Sequence, residues 1–332
     1  MKIFLTGATG FIGSHFLKQC LAAGYSMTCS VRSAKQADAI RALGASPWEG
    51  NLQNHSELSL ALAGYDVLIH AAGCRDLTAP ADLLLQSNVS LTQTLVDAAA
   101  AANVAQFIYI SAASVVMSNP TALLNVTESA PITLQNYLPY TRSKAIAEAS
   151  VLAARQTAMR VVVLRPSFVW GKGDSIDTEI GPASNRGQFG WFSQGYYPFA
   201  SCSIANLCDA LQRAIQHTQS GCVFNISDRE PVDFRAFMTQ RLQVSGFQVP
   251  TLSVPRKLAW WLGAFTETGW AYLPMPGKPP IVREMVRLMG FPFTVSIERA
   301  KRDLGYLGHH SIDEGMSNIV SLIQDQQGST QQ

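Results

Sequence analysis

Along the first two-thirds of the chain, apolar residues come in short continuous runs, separated by longer stretches where they return every three or four positions. The runs KIFLT, VLIH, FIYI and VVVL show no polar alternation, as expected of strands covered on both faces of a sheet. They predict strands over 2–6, 26–32, 67–70, 107–110 and 160–165, with helices over 11–23, 34–43, 83–102 and 139–157 between them. Such alternation predicts the α/β class with a doubly wound parallel sheet. After about Gly171 the alternation lapses, and a further helix over 206–217 and strand over 221–226 restore it once. From Phe234 onward the pattern predicts short helices separated by Pro250, Pro255, Pro274, Pro276, Pro279 and Pro280. The final stretch, 324–332, reads as a frayed tail.

Composition narrows the picture. The chain of 332 residues is 47% hydrophobic and 14% charged, enough apolar material for a well-buried core. A net charge of +2 with scattered basic residues argues against a nucleic-acid partner or an anionic membrane surface. The opening run MKIFL is broken by glycine too early for a signal peptide, and the longest apolar stretch, 258–273, is interrupted by Thr266, Glu267, Thr268 and Gly269. A soluble cytoplasmic protein without a membrane span is expected. The cysteines, Cys20, Cys29, Cys74, Cys202, Cys208 and Cys222, show neither a CxxC pair nor zinc-ligand spacing, so buried thiols and no metal site are expected.

The segment TGATGFIG follows a strand and opens a helix, the context a dinucleotide fingerprint requires. Gly7 permits the tight turn, Gly10 lets backbone amides approach a pyrophosphate, and Gly13 lets the helix lie close to the strand. Thr9, Phe11 and Ile12 fill the same turn, whose helix N-terminus favours anions. The spacing GxxGxxG, rather than GxGxxG, resembles the extended short-chain dehydrogenase/reductase family. That likeness implies a Rossmann-type nucleotide-binding region over 1–170, joined by about 204–226, with 171–332 mainly a smaller substrate-binding region and lid woven onto it. Where an NAD-preferring protein carries an acidic residue after the second strand, this chain has Arg32 between Ser30 and Ser33. A guanidinium can grip a 2′-phosphate through paired hydrogen bonds, so NADP(H) is the expected cofactor, with NAD(H) as the alternative.

Tyr140 and Lys144 stand at i, i+4 in YTRSK, on one face of a predicted helix. Interconverting an alcohol and a ketone by hydride transfer needs a proton donor or acceptor at the oxygen, and an ammonium beside a phenol lowers its pKa. Lys144 can also hydrogen-bond the nicotinamide ribose. The placement of this pair between two apolar strands is that of the short-chain dehydrogenases. Further segments resemble the 3β-hydroxysteroid dehydrogenase and NAD-dependent epimerase/dehydratase branch. HAAG (Ala71, Ala72 and Gly73 after His70) is similar to the family's NAAG turn, and the run starting at Asn88 to its NVxGTxNLLEAA helix. LRPSFVWGKGD, with Pro166, Ser167 and Val169, is similar to LRPxxVYGPGD, SIANLCDAL to HVDNLVxAL, and CVFNISDREPVDFRAF to xYNITDGEPVxxREF. Asn51, with Leu52 beside it, stands where the family usually has the aspartate that touches adenine. By the same likeness the helices over 83–102 and 139–157 would form a homodimer contact.

Two departures bear on the chemistry. The family's usual catalytic hydroxyl position falls on Ala112, flanked by Ser111 and Ser114. Ser114 is the preferred substitute because in an extended segment it would face the same side as 112. Val116 stands where many sugar-nucleotide members carry tyrosine. Between Gly187 and Gln212 there is no lysine or arginine to neutralise a second diphosphate, but there are Phe189, Trp191, Phe192, Tyr196, Tyr197 and Phe199. Trp260, Trp261, Trp270, Met275, Met285 and Met289 follow, as candidates to line a pocket or lid. A hydrophobic small-molecule alcohol or ketone is the expected substrate. The chain therefore reads as an NADP(H)-dependent oxidoreductase. A nucleotide-sugar epimerase or dehydratase with bound NAD, or a non-catalytic NADP(H) sensor, remains open.

Overall fold

The computed structural model describes residues 1–273 and 275–330, with side chains through Asp325. Seven parallel strands form the central sheet: β1 (Lys2–Thr6), β2 (Ser26–Ser30), β3 (Ser46–Trp48), β4 (Val67–His70), β5 (Gln106–Ile110), β6 (Arg160–Pro166) and β7 (Cys222–Ile226). Their order, β7-β6-β5-β4-β1-β2-β3, reverses direction between β1 and β4. In a doubly wound sheet ligands bind beyond the strand ends at that reversal. The fold is the Rossmann-like one expected.

Alternation within each strand shows why the apolar runs are continuous. Ile3, Leu5, Ile69, Ile108, Ile110, Val162 and Leu164 enter one core with α1 (Phe11–Ala22), α2 (Ala34–Ala42) and α6 (Ile204–Gln216). Phe4, Leu68, Phe107, Tyr109, Val161 and Val163 enter the other with α3 (His55–Leu62), α4 (Leu91–Ala101) and α5 (Pro139–Ala153). A polar residue on either face must find a partner between two layers, as His70 does with Thr6 and Thr92.

The structure departs from the sequence expectations in several places. The strand expected over 26–32 stops at Ser30, because Ser33 turns the chain by capping α2. The helix expected over 83–102 is a composite, α-helical over Ala81–Leu84, π-helical over Leu85–Ser90, and α-helical again in α4. The C-terminal helices α7 (Phe234–Val244), α8 (Arg256–Tyr272), α9 (Arg283–Met289), α10 (Glu298–Leu304) and α11 (Ile312–Thr330) are not all short. The interruptions in 258–273 do not break α8, which spans 17 residues, and α11 continues through the expected tail to Thr330. Gln331, Gln332 and Pro274, one of the expected separators, lie outside the described residues. Among the described residues no helix is long and apolar enough to cross a membrane.

Four of the aromatics expected to line a pocket instead build a core for the C-terminal region. Trp191, Tyr197 and Phe199 are buried with Trp170, Phe234 and Phe237, and Phe189 packs against them. Tyr197 stacks on Phe234 at 5.3 Å between ring centroids. A second sheet of four strands crosses this region in the order Val232–Asp233, Pro198–Phe199, Phe293–Val295, Leu123–Val126. The last of these is contributed by the segment that follows β5. The cysteines are free and all but the half-buried Cys74 are buried, and no acidic, histidine or cysteine cluster among the described residues could hold a metal.

The sheet is tied to α5 by a buried ion pair. Arg165 on β6 donates through Nε to both carboxylate oxygens of Glu148 at 3.1 and 3.0 Å, and Ser111 at the end of β5 donates to Glu148 Oε2 at 2.6 Å. The two side chains are 4% and 1% exposed, so removing one strands the other in a dry interior. Glu148→Ala is therefore expected to lower unfolding free energy by about 3–5 kcal/mol in urea titrations, whereas the double variant Glu148→Leu/Arg165→Leu loses less than the single.

Candidate active site

The glycine turn follows β1 at the point where the strand order reverses. Gly7 has φ +76°, and a Cβ there would lie 2.7 Å from Ala71 C and Ala72 N on the neighbouring loop. A Cβ on Gly13 would lie 2.1 Å from Gly7 O, so α1 rests directly on the turn. A Cβ on Gly10 would approach only Gly7 O, at 3.3 Å, which leaves its outward side clear. No side chain caps α1, whose N-cap is Gly10, so its first-turn N–H groups point past the turn. These features fit a dinucleotide pyrophosphate. The loop after β4 closes the other side: Ala71 N donates to Thr6 O and Ala72 N to Thr6 Oγ1, each at 3.3 Å.

Tyr140 and Lys144 occupy the first turns of α5. Burial pushes the Tyr140 phenol above its ordinary value, the Glu284 carboxylate adds to this, and Arg75 opposes it. Lys144 is buried and donates through Nζ to Ile110 O at 2.6 Å, with its ammonium 4.3 Å from the Tyr109 ring centroid. Burial draws its pKa down to about 7, against the pull of Glu148. The ammonium thus engages the end of β5 and makes no hydrogen bond to Tyr140 in this structure.

The two serines part company. Ser111 is committed to Glu148, away from Tyr140. Ser114 lies in a 3-10 turn, Ala113–Val116, so the extended conformation assumed for its alignment with 112 is not present. Its Oγ is nevertheless buried without a protein partner. Asn88, carried by the π-helical turn, is buried and acts as a brace. Its amide accepts from Cys74 N at 2.7 Å and donates to Cys74 O and Ser143 Oγ, each at 2.9 Å. His70 bridges Thr6 Oγ1 at 2.8 Å and Thr92 Oγ1 at 2.9 Å, and burial holds it near 3, so it stays neutral.

A model of the NAD dependent epimerase/dehydratase family matches residues 3–227, from the first strand through the last strand of the central sheet. The chain belongs to this family. It is 32% identical over 320 residues to a 4-hydroxy-2-methyl-3-oxo-4-farnesyl-3,4-dihydroquinoline-1-oxide ketoreductase of Stigmatella aurantiaca, covering 96% of each chain. It is 26% identical to a decarboxylating sterol-4-alpha-carboxylate 3-dehydrogenase of Dictyostelium discoideum, covering 96% of this chain and 99% of the other. The dTDP-glucose 4,6-dehydratase DesIV of Streptomyces venezuelae, solved with NAD, shares the fold with a TM-score of 0.75 at 19% identity, covering 99% and 98% of the two chains. Within the family this chain is an NAD(P)-dependent enzyme of the short-chain dehydrogenase/reductase type, like its 3β-hydroxysteroid dehydrogenase-like relatives.

The remaining residues expected on the cofactor side lie near the strand ends. Arg32 is exposed just beyond β2; its N–H donates to Gln36 Oε1 at 2.8 Å, and Gln36 in turn reaches Thr9 Oγ1 at 3.3 Å. Asn51 turns inward on its own loop, its Oδ1 accepting from Gln53 N at 2.9 Å, while Leu52 packs on the core beneath. Phe11 and Ile12 open α1, Pro166 ends β6, Ser167 Oγ is buried without a protein partner, and Val169 packs against the sheet.

The C-terminal region brings groups that pattern reading passed over. Glu284 on α9 accepts from Tyr140 N at 2.9 Å and Thr141 N at 2.7 Å. Arg283 donates to Glu267 and lies 5.1 Å over the Tyr137 ring, and Trp260 meets the same ring edge-on at 5.6 Å. Only the spacing of acidic and basic residues in REMVR could have drawn attention to this helix, and such a pattern is common on solvated faces. An alanine at 13 must push apart two backbones. Gly13→Ala is expected to weaken NAD(P)H binding at least roughly tenfold by fluorescence titration, with Gly10→Ala milder.

Proposed function

We propose that the chain reduces a ketone on a hydrophobic small molecule to the secondary alcohol, with NADPH as the preferred cofactor. The observation that carries this reading is that Tyr140 and Lys144 begin α5, whose Ser143 is tied through Asn88 to the loop after β4, the loop that packs on the Gly7 turn. The nicotinamide supplies the hydride when bound, and the chain's side chains handle the proton. Tyr140, held above its ordinary pKa, keeps its proton at neutral pH and suits the donor role toward a nascent alkoxide. Ser114 is assigned to orient the substrate oxygen, and Ser111 to support α5 through Glu148. Lys144 retains ammonium donors beyond Ile110 O, and these are assigned to the nicotinamide ribose.

Arg32 supports the NADP(H) preference. It is exposed at the end of β2, and no carboxylate side chain lies within ion-pair distance among the described residues. A hydrophobic substrate is supported by the ring of Trp260 against Tyr137, three residues before Tyr140, and by the exposed Trp261 and Phe265 on α8. It is also consistent with the relatives whose names carry a farnesyl chain and a sterol.

The test is NADPH oxidation against a panel of ketones, with Tyr140→Phe as control. The variant should lose about 10²–10⁴-fold in kcat while binding NADPH as tightly as the parent chain. Equal turnover in the variant would sink the assignment, and NAD retained through dialysis without ketone turnover would favour the epimerase reading. Arg32→Ala should raise the Kd for NADPH about 10–100-fold and that for NADH by less than about twofold.

A further inference from the structure

Helix α5 begins without a cap of its own. Leu138 occupies the N-cap position, where Ser, Thr, Asp or Asn would accept a first-turn N–H, and its side chain makes no such bond. Pro139 follows and lacks an N–H, so the next donors are those of Tyr140 and the fully buried Thr141. Both are met from a residue 144 positions away from Tyr140, Glu284, whose two carboxylate oxygens each take one N–H. Glu284 is itself 1% exposed, and no basic side chain lies within ion-pair distance of it among the described residues. Its compensation is the pair of N–H donors and the positive end of α5.

Burying an acid this way does little for α9 itself, which is tied to α8 through Arg283 and Glu267 at 2.6 Å. What the arrangement does is fix the turn from which the Tyr140 side chain leaves the helix. We propose that Glu284 is a positioning residue for Tyr140, capping α5 from α9 so that the phenol keeps its aim toward the substrate oxygen. The proposal rests on Tyr140 being the proton donor of the reaction.

An amide could not replace the carboxylate, because it offers one acceptor oxygen and would turn its NH2 toward the second N–H. Protonation has a related effect, since a carboxylic acid carries a hydroxyl proton where an acceptor is needed. Burial pushes Glu284 up to about 7, so the capping form is complete above that pH and is lost as pH falls through it. The groups facing it set this balance: the Thr141 side chain and the Thr141 and Tyr140 N–H donors lower it, Glu267 on α8 raises it, and Arg283 and Arg287 on α9 are directed elsewhere, to Glu267 and toward the Phe291 ring.

The experiment combines three readouts on Glu284→Gln and Glu284→Asp. Hydrogen exchange of a peptide spanning residues 138–144 should show faster exchange at Tyr140 and Thr141 in Glu284→Gln. Its kcat with the best ketone of the panel should fall about 10–100-fold, the scale of a misplacement near 1 Å. Its NADPH Kd should stay within twofold, and the acid limb of kcat near pH 7 should disappear. Glu284→Asp, which keeps both oxygens, should recover part of the loss. Unchanged exchange at Tyr140 and Thr141, kcat within twofold of the parent, or kcat and NADPH affinity falling together would overturn the proposal. If Glu284→Gln does not fold, the parent chain decides by the presence or absence of a pH-dependent change in exchange at those two amides. If no ketone is turned over by the parent chain, the reductase reading fails, and exchange alone then tests the cap.

Discussion

Helix α5 buries a lysine and a glutamate, and the need to satisfy both organises the site. A charge withdrawn from water costs several kcal/mol unless it finds partners. Glu148 finds them in Arg165 and Ser111, and Lys144 in the carbonyl of Ile110 and the face of Tyr109. These partners lie on β5 and β6 or just past the end of β5. The helix is therefore registered against the sheet by polar contacts of defined direction rather than by an apolar stripe, which could slide.

The same helix is braced at two further points. Ser143 accepts from Asn88, which also clamps the loop at Cys74 after β4, so the nucleotide-side loop and the tyrosine-bearing helix share one side chain. The π-helical turn at Leu85–Ser90 carries Asn88 into that position. Such turns recur at functional sites because the extra residue redirects a side chain. At its N-terminus the helix meets α9, so the C-terminal region touches the backbone of Tyr140 directly.

Much of this was legible in the chain. Continuous apolar runs announced strands covered on both faces, and the glycine spacing announced a turn whose three glycines turn out to have distinct steric reasons. What stayed hidden has physical causes. The three-residue strand Ser46–Trp48 is too short to show a period, and the π turn preserves enough helical spacing to look unbroken. Aromatic residues between Phe189 and Phe199 have the same composition whether they line a cavity or fill a core, and burial alone separates the cases. Glu284 could not be found by local pattern, because a cap supplied from another helix leaves no trace at the N-cap position it replaces. The direction of Lys144, toward Ile110 rather than toward Tyr140, likewise depends on packing that spacing does not encode.

The strand at Leu123–Val126 has a consequence for how the molecule comes into being. It leaves the central sheet's neighbourhood to pair with Phe293–Val295, and Asn125 N donates to Thr294 Oγ1 across 169 positions of chain. Closing so long a loop is entropically slow, and until it closes that strand has an unmet edge. The final strand of the main sheet, Cys222–Ile226, is also supplied late. A nascent fragment ending near the proline-rich stretch would hold the complete nucleotide turn and every strand of the central sheet yet leave Leu123–Val126 unpaired, so this part of the fold is completed from the far end of the polypeptide.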